Sequence, residues 1–153
     1  KNYNVFVGDC YGIDTAVQNF FMKLRYKNVT VYASNGKARN NVGSWKVENI
    51  HVNNSIKGFD FYKQKDEAMA KNADYGFMVW DGKSRGTLNN IINLINDNKK
   101  VVVYISPFHK MLVIEKMSQL DNLIEHCPLS TKKTYRTLLS NNDIVNNIQL
   151  SLL

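Results

Sequence analysis

Tyr75-Gly76-Phe77-Met78-Val79-Trp80-Asp81-Gly82-Lys83-Ser84-Arg85-Gly86-Thr87-Leu88 is the stretch that decides the fold class. Its first six residues form a short apolar run bounded by aspartates, the pattern of a buried strand. After the turn, Leu88, Ile91, Ile92 and Ile95 recur at three and four residues, which predicts a helix. Between the two lie Asp81, Gly82, Ser84, Arg85, Gly86 and Thr87. Small, hydroxyl-bearing residues at a strand-to-helix junction leave backbone N–H groups free to meet an anion, phosphate above all.

A junction of the same kind comes earlier. Val5-Phe6-Val7 runs into Gly8-Asp9-Cys10-Tyr11-Gly12-Ile13-Asp14 and then into a helical stripe of Ala16, Val17, Phe20, Phe21 and Leu24, with Asp14 or Thr15 as its cap. Val29-Thr30-Val31-Tyr32 reads as a β-branched strand ended by Ser34-Asn35-Gly36, and Val101 to Ile105 as a strand stopped by Pro107. Tyr62 to Ala73 reads as a helix with Ala68, Met69 and Ala73 inward and Lys65, Asp66 and Glu67 on a polar side. This exchange of strand and helix predicts a three-layer, Rossmann-like α/β domain with a mainly parallel sheet and right-handed crossovers. Phe20, Phe21, Leu24, Ala68, Met69, Leu88, Ile91 and Ile92 are expected to pack on that sheet. Two glycine-containing strand ends of this kind are expected to face one crevice at its carboxyl edge.

The whole chain, 1–153, reads as one domain, with residues 1–105 as a nucleotide-binding-like core. The connection from Lys37 to Phe61 lacks periodicity apart from a brief strand at Val47 to Val52, and a connection of that length often serves a site. Residues 106–153 read as helical pieces at about Met111–Ile124, Thr131–Leu139 and Asp143–Leu152, for packing or oligomerisation. Leu138, Leu139, Ile144, Ile148 and Leu150 would supply the apolar side of a homo-oligomer contact.

Composition narrows the classes. A 44% hydrophobic content is enough for a real core and excludes disorder. Twenty Lys and Arg against 13 Asp and Glu give +7, which favours phosphate-bearing partners, nucleic acid included. Cys10 and Cys127 are far apart and form neither a disulfide framework nor a metal cluster, which points to a reducing compartment. No apolar run nears the roughly 20 residues that cross a bilayer, and Lys1-Asn2-Tyr3-Asn4 is unlike a signal peptide. A soluble cytoplasmic protein without a membrane partner is expected.

The candidate ligand set follows from residue chemistry. Gly8 and Gly12 allow close backbone approach; Asp14 caps a helix or accepts a ribose hydroxyl bond. Arg39 pairs with phosphate, Asn40 reads an amide-like base edge and Trp45 stacks on a ring. Asp9 and the turn residues Asp81, Gly82, Ser84, Arg85, Gly86 and Thr87 complete the floor. The glycine spacing does not match G-x-G-x-x-G, and the turn lacks the Gly-Lys-Ser or Gly-Lys-Thr ending of a Walker loop. His51, His109 and His126 have no metal-ligand spacing, so neither metal nor cofactor is expected. Ser84 and Ser106 lack a histidine partner for nucleophilic catalysis.

At Gly8-Asp9-Cys10-Tyr11-Gly12-Ile13-Asp14 and at Asp81 through Asn90 the chain resembles the SLOG superfamily, the Rossmann-like group related to LONELY GUY phosphoribohydrolases and DNA-processing protein A. The resemblance covers roughly Val5 to Ile105 and implies a nucleotide-derived ligand across parallel strand ends. Gly12-Ile13-Asp14 resembles the helix opening of the DNA-processing branch, and Ser84-Arg85-Gly86-Thr87 the phosphate turn of the phosphoribohydrolases. Members usually begin with a further strand and a Gly-Ser-type phosphate loop ahead of the segment that matches Val5 onward. Where the phosphoribohydrolases place a Glu three residues beyond that Thr, this chain has Asn90, which cannot serve as a carboxylate acid or base. Non-catalytic binding of a nucleotide or nucleotide-derived signal is therefore the expected function. Hydrolysis of a nucleotide N-glycosidic bond by Asp9, Asp66 or Asp81 is the enzyme alternative, and single-stranded nucleic-acid binding a third.

Overall fold

The computed structural model describes the backbone of residues 2–151 and the side chains of residues 2–141. It is an α/β protein whose elements run β1 (Val5–Gly8), α1 (Ile13–Lys23), β2 (Val29–Ser34), β3 (Lys46–Ile50), α2 (Phe59–Asn72), β4 (Tyr75–Trp80), α3 (Arg85–Asn96), β5 (Lys100–Ile105), β6 (Lys110–Ile114), α4 (Met117–Glu125) and α5 (Leu129–Ser151). The chain divides into two compact units, Lys1–Ala73 and Asp74–Leu153, each with its own three-stranded sheet. Among the described residues no helix is long and apolar enough to cross a membrane.

In the first unit β1, β2 and β3 pair in that order, all parallel, with Val5 opposite Val29 and Thr30 opposite Lys46. Val7, Val29 and Val31 form the buried centre, against which Val17, Phe21, Tyr26 and Trp45 pack. Phe20 and Leu24, expected in the core, stand 58% and 59% exposed. The inward face of α1 is centred on Asp14, Val17, Gln18 and Phe21, and Phe20 lies about 100° around the helix from that centre. Leu24 follows the last helical residue, where Arg25 turns the chain in the left-handed region (φ 52°). In α2, Ala70 is buried and Ala68 and Met69 are half-buried. Lys65, assigned to the polar side by sequence, is 2% exposed.

In the second unit β4 and β5 are parallel and α3 makes the crossover between them. Leu88, Ile91, Ile92, Leu94 and Ile95 are buried with Trp80, Val101, Val103 and Ile105, as the apolar stripe predicts. Gly76 permits this packing, because a Cβ there would lie 2.4 Å from Leu94 Cδ1. The segment expected to be helical from Met111 to Ile124 is instead strand β6 followed by α4. Lys110-Met111-Leu112-Val113-Ile114 is too short to carry a period of its own. His109, in the left-handed region (φ 49°) after the 3-10 turn Ser106–Phe108, folds it back antiparallel on β5, with Ile105 opposite Lys110. Where two C-terminal pieces were expected at Thr131–Leu139 and Asp143–Leu152, Leu129–Ser151 is one helix, α5, and Leu152 lies outside the described residues. Leu138 is buried and Leu139 half-buried, whereas the side chains of Ile144, Ile148 and Leu150 lie outside the described residues.

Candidate functional site

The first unit gathers charge at the carboxyl end of β1. Gly8 closes the strand without a Cβ; one added there would meet Asp14 Oδ2 at 2.3 Å and Lys65 Nζ at 3.2 Å. Glycine at this position lets a carboxylate and an ammonium sit against the strand end. Gly12, at φ 90°, is the N-cap of α1 and gives it no side-chain cap. Asp14 is therefore not the expected cap. From the first turn its Oδ2 reaches back to accept the Cys10 N–H (3.0 Å).

Asp9, 2% exposed, is gripped by Arg39. Arg39 Nε donates to Asp9 Oδ2 (3.0 Å), its Nη2 to Oδ1 (2.7 Å), and its backbone N–H to Oδ2 (3.1 Å). This fork fixes both partners in one plane. Arg39 Nη2 also lies 2.9 Å from Cys10 Sγ, and its guanidinium carbon sits 4.7 Å from the centroid of the Tyr62 ring. Lys65 Nζ donates to Asp66 Oδ1 (2.7 Å) and stands 3.9 Å from Asp9 Oδ1. Three carboxylates and two cations thus form one cluster, from which Arg39 keeps a side-chain exposure of 38%.

Burial and partners divide these groups. Burial pushes the Asp9 carboxyl up, but the Arg39 hydrogen bonds and the Arg39 and Lys65 charges reverse it and hold Asp9 below the ordinary carboxylate value. Burial prevails at Asp14, whose pKa is raised despite the Cys10 N–H and Lys65. Burial also raises the Cys10 thiol. At Lys65 burial opposes the charge, but Asp66 outweighs it, helped by Cys10 and Asp14, so the ammonium is held above the ordinary lysine value. Two neighbouring aspartates with opposite shifts are a feature of sites that handle protons or polar ligands.

The loop carrying Arg39 and Asn40 is tied down by a residue the sequence reading passed over. Gln18, fully buried, donates from Nε2 to the carbonyls of Gly8 (2.9 Å) and Asn40 (3.1 Å) and accepts the Val42 N–H (3.1 Å). Asn40 turns its own amide onto Thr15 Oγ1, whose hydroxyl donates to the Cys10 carbonyl (3.1 Å). Tyr62 was likewise missed, Thr15 was expected only as a helix cap, and Lys65 was assigned to a solvated polar side. A signal existed for Lys65, which precedes Met69 by four residues and so shares its face. Trp45 has a different place from the one its residue type suggested. Its indole donates to the Tyr26 carbonyl (2.9 Å) and lies where a Cβ on Gly43 would be. It packs half-buried against the core of the first unit, with Asn41 clamping its backbone.

The second unit builds the Asp81–Thr87 turn from its own groups. Asp81 Oδ1 accepts the N–H groups of Lys83 (2.9 Å) and Ser84 (2.7 Å), bonds that hold its carboxyl below the ordinary value. Ser84 is the N-cap of α3, its Oγ accepting from Thr87 N (3.3 Å) and Thr87 Oγ1 (3.0 Å). Gly82, at φ 76°, offers its carbonyl to the buried Thr131 hydroxyl (2.6 Å). The Asp81 carboxylate thus fills the anion position over two of the amides that the sequence reading reserved for phosphate. Gly86 opens onto free space. Along α3, Asn89 Oδ1, Asn90 Oδ1 and Asn93 Nδ2 are buried without a hydrogen-bond partner among the described residues. Among those residues no group of three or more His, Cys, Asp and Glu is placed to hold a metal ion.

Comparison of the chain with protein-family models, with curated proteins and with solved structures finds no match.

Proposed function

We propose that the chain is a three-layer, Rossmann-like protein of SLOG type that binds a nucleotide or nucleotide-derived ligand without transforming it, at the β1–α1 end of the first unit. The observation that carries this reading is the charge cluster of buried Asp9 and Lys65, half-buried Asp14 and Asp66 and exposed Arg39 beside a helix start without a side-chain cap. Desolvating the Asp9 and Lys65 charges costs more than packing apolar groups there, so such a cluster is poorly explained by stability alone. Asp14 and Asp66 supply acceptors for sugar hydroxyls. The α1 N-terminus and the exposed part of Arg39 supply donors for phosphate. Asn90 stands where a hydrolase of the resembling group needs its Glu, which favours binding over turnover.

Asp14→Asn separates a ligand role from a structural one. Asn keeps an acceptor for the Cys10 N–H and removes a carboxylate whose folded pKa is raised. An acid of that kind opposes folding at neutral pH, so the substitution should leave the thermal midpoint unchanged or higher. Calorimetry of the full chain at physiological salt, against mono-, di- and cyclic nucleotides, should show saturable binding that Asp14→Asn weakens at least about tenfold. No binding by folded wild-type protein, or equal binding by the variant, contradicts the proposal.

One observation favours a second reading. The Arg39 hydrogen bonds and charge hold Asp9 below the ordinary carboxylate value while burial raises Asp14, a divergence of the kind that separates base from acid in N-glycosidic cleavage. Chromatographic detection of free base and sugar phosphate after prolonged incubation would support it, and intact nucleotide would leave the binding role.

A further inference from the structure

The second unit leaves one face of its sheet bare. Along β4, Gly76 and Trp80 point to the side that α3 covers, so Tyr75, Phe77 and Val79 point to the other. The register continues that face across the strands in two rungs, Phe77–Val102–Val113 and Val79–Tyr104–Met111. Tyr75 is 69% exposed, Phe77 58%, Met111 62% and Val113 51%. A parallel pair such as β4 and β5 is almost always covered on both faces, because water on one side wastes its apolar side chains. The largest contiguous apolar patch on a protein of this kind is often functional.

We infer that this face pairs with the same face of a second copy of the chain, making a two-fold dimer of stacked sheets. Two considerations select a second copy. Side chains of these types at these exposures offer roughly 500 Å² per copy, so two faces bury about 1,000 Å², the lower bound for a specific interface. The end of the face beside Tyr75 carries Lys100 and Glu115, 2.6 Å apart. Each copy therefore brings one charge of each sign, and a two-fold axis running along β5 lays β4 of one copy over β6 of the other and gathers the two Lys100 and two Glu115 side chains at one end of the contact. The apolar rungs interdigitate at the sheet spacing of about 10 Å, with Tyr104 on the central strand and Phe77 of each copy over β6 of the other. This contact is separate from any association through α5, and it does not rest on the ligand reading above.

Light scattering and sedimentation of the full chain from about 1 to 200 μM, with circular dichroism as folding control, test the inference. Wild type should dimerise in this range, and Phe77→Glu should remain folded and raise the dissociation constant at least about tenfold. Lys100→Glu should also weaken the dimer, and Lys100→Glu with Glu115→Lys should restore it, a cycle that holds even if Phe77→Glu misfolds. A wild-type monomer throughout the range overturns the inference. So does a dimer that Phe77→Glu and Lys100→Glu both leave unchanged.

Discussion

Lys65→Met is expected to destabilise the protein by about 3–5 kcal/mol at neutral pH, the cost of stripping one partner from a buried ion pair. The Lys65 side chain is 3% exposed, and its ammonium is the hydrogen-bonded counter-charge of Asp66 and lies 3.9 Å from Asp9. Methionine fills the same space but leaves buried carboxylates facing one another. For a chain of this size the thermal midpoint should fall by roughly 10 °C. Adding Asp66→Asn should recover part of the loss, because one orphaned charge is then gone. The pH dependence has a defined sign. Lys65 has a raised folded pKa, so its contribution is complete below about pH 10 and is lost as pH climbs through the folded value. Asp9 has a depressed one, so its contribution is complete above about pH 4 and is lost as pH falls through the folded value. The deficit of Lys65→Met should therefore shrink in acid, as its orphaned carboxylates take up protons. Calorimetric melting from about pH 2 to about pH 12 checks each point; a loss under about 1 kcal/mol at pH 7 contradicts the buried-pair account.

Gln18→Leu should cost about as much, for a different reason. The side chain has no charge to lose, but it satisfies the carbonyls of Gly8 and Asn40 and the Val42 N–H. Each buried backbone group left without a partner costs about 1–3 kcal/mol, so roughly 3–5 kcal/mol is expected in sum. The loop from Arg39 to Val42 should loosen first, since Gln18 joins it to the end of β1. Urea unfolding gives the magnitude, and hydrogen exchange at the Val42 amide gives the location. Stability within about 1 kcal/mol of wild type, with Val42 still protected, would show that the clamp is not what positions Arg39.

Much of the fold could be read from the chain because period and residue type agreed. β1, β2, β4 and β5 are short β-branched or aromatic runs, and the stripe of α3 falls on the face that is buried. β6 could not be read that way. Five residues choose between strand and helix only when His109 has turned them back onto β5, a decision made by a backbone conformation and a distant partner. The candidate site divides similarly. Gly8, Asp9, Asp14, Arg39 and Asn40 stand out by chemistry, and the first unit does bring them together. Lys65 was placed on a polar side, and Asp66 entered only as a carboxylate of the enzyme alternative, because adjacent charges on a helix are ordinarily solvated. Gln18 was invisible because one polar residue in an apolar stripe gives no periodic signal, and its partners at Asn40 and Val42 lie more than 20 positions along the chain. Trp45 shows the opposite case: an indole beside Arg and Asn suits either a ligand or a packed ring, and here it packs half-buried against Gly43 with its N–H on the Tyr26 carbonyl.

Amide NMR of the full chain during titration with adenosine and guanosine mono-, di- and cyclic phosphates tests the central claim most directly, because it reports binding and place together. The account predicts saturable shifts of the Gly8, Cys10, Gly12 and Arg39 amides with at least one of these nucleotides, and their loss in Asp14→Asn. Unmoved amides at those four positions with every nucleotide, or the same shifts in the folded Asp14→Asn protein, would contradict it.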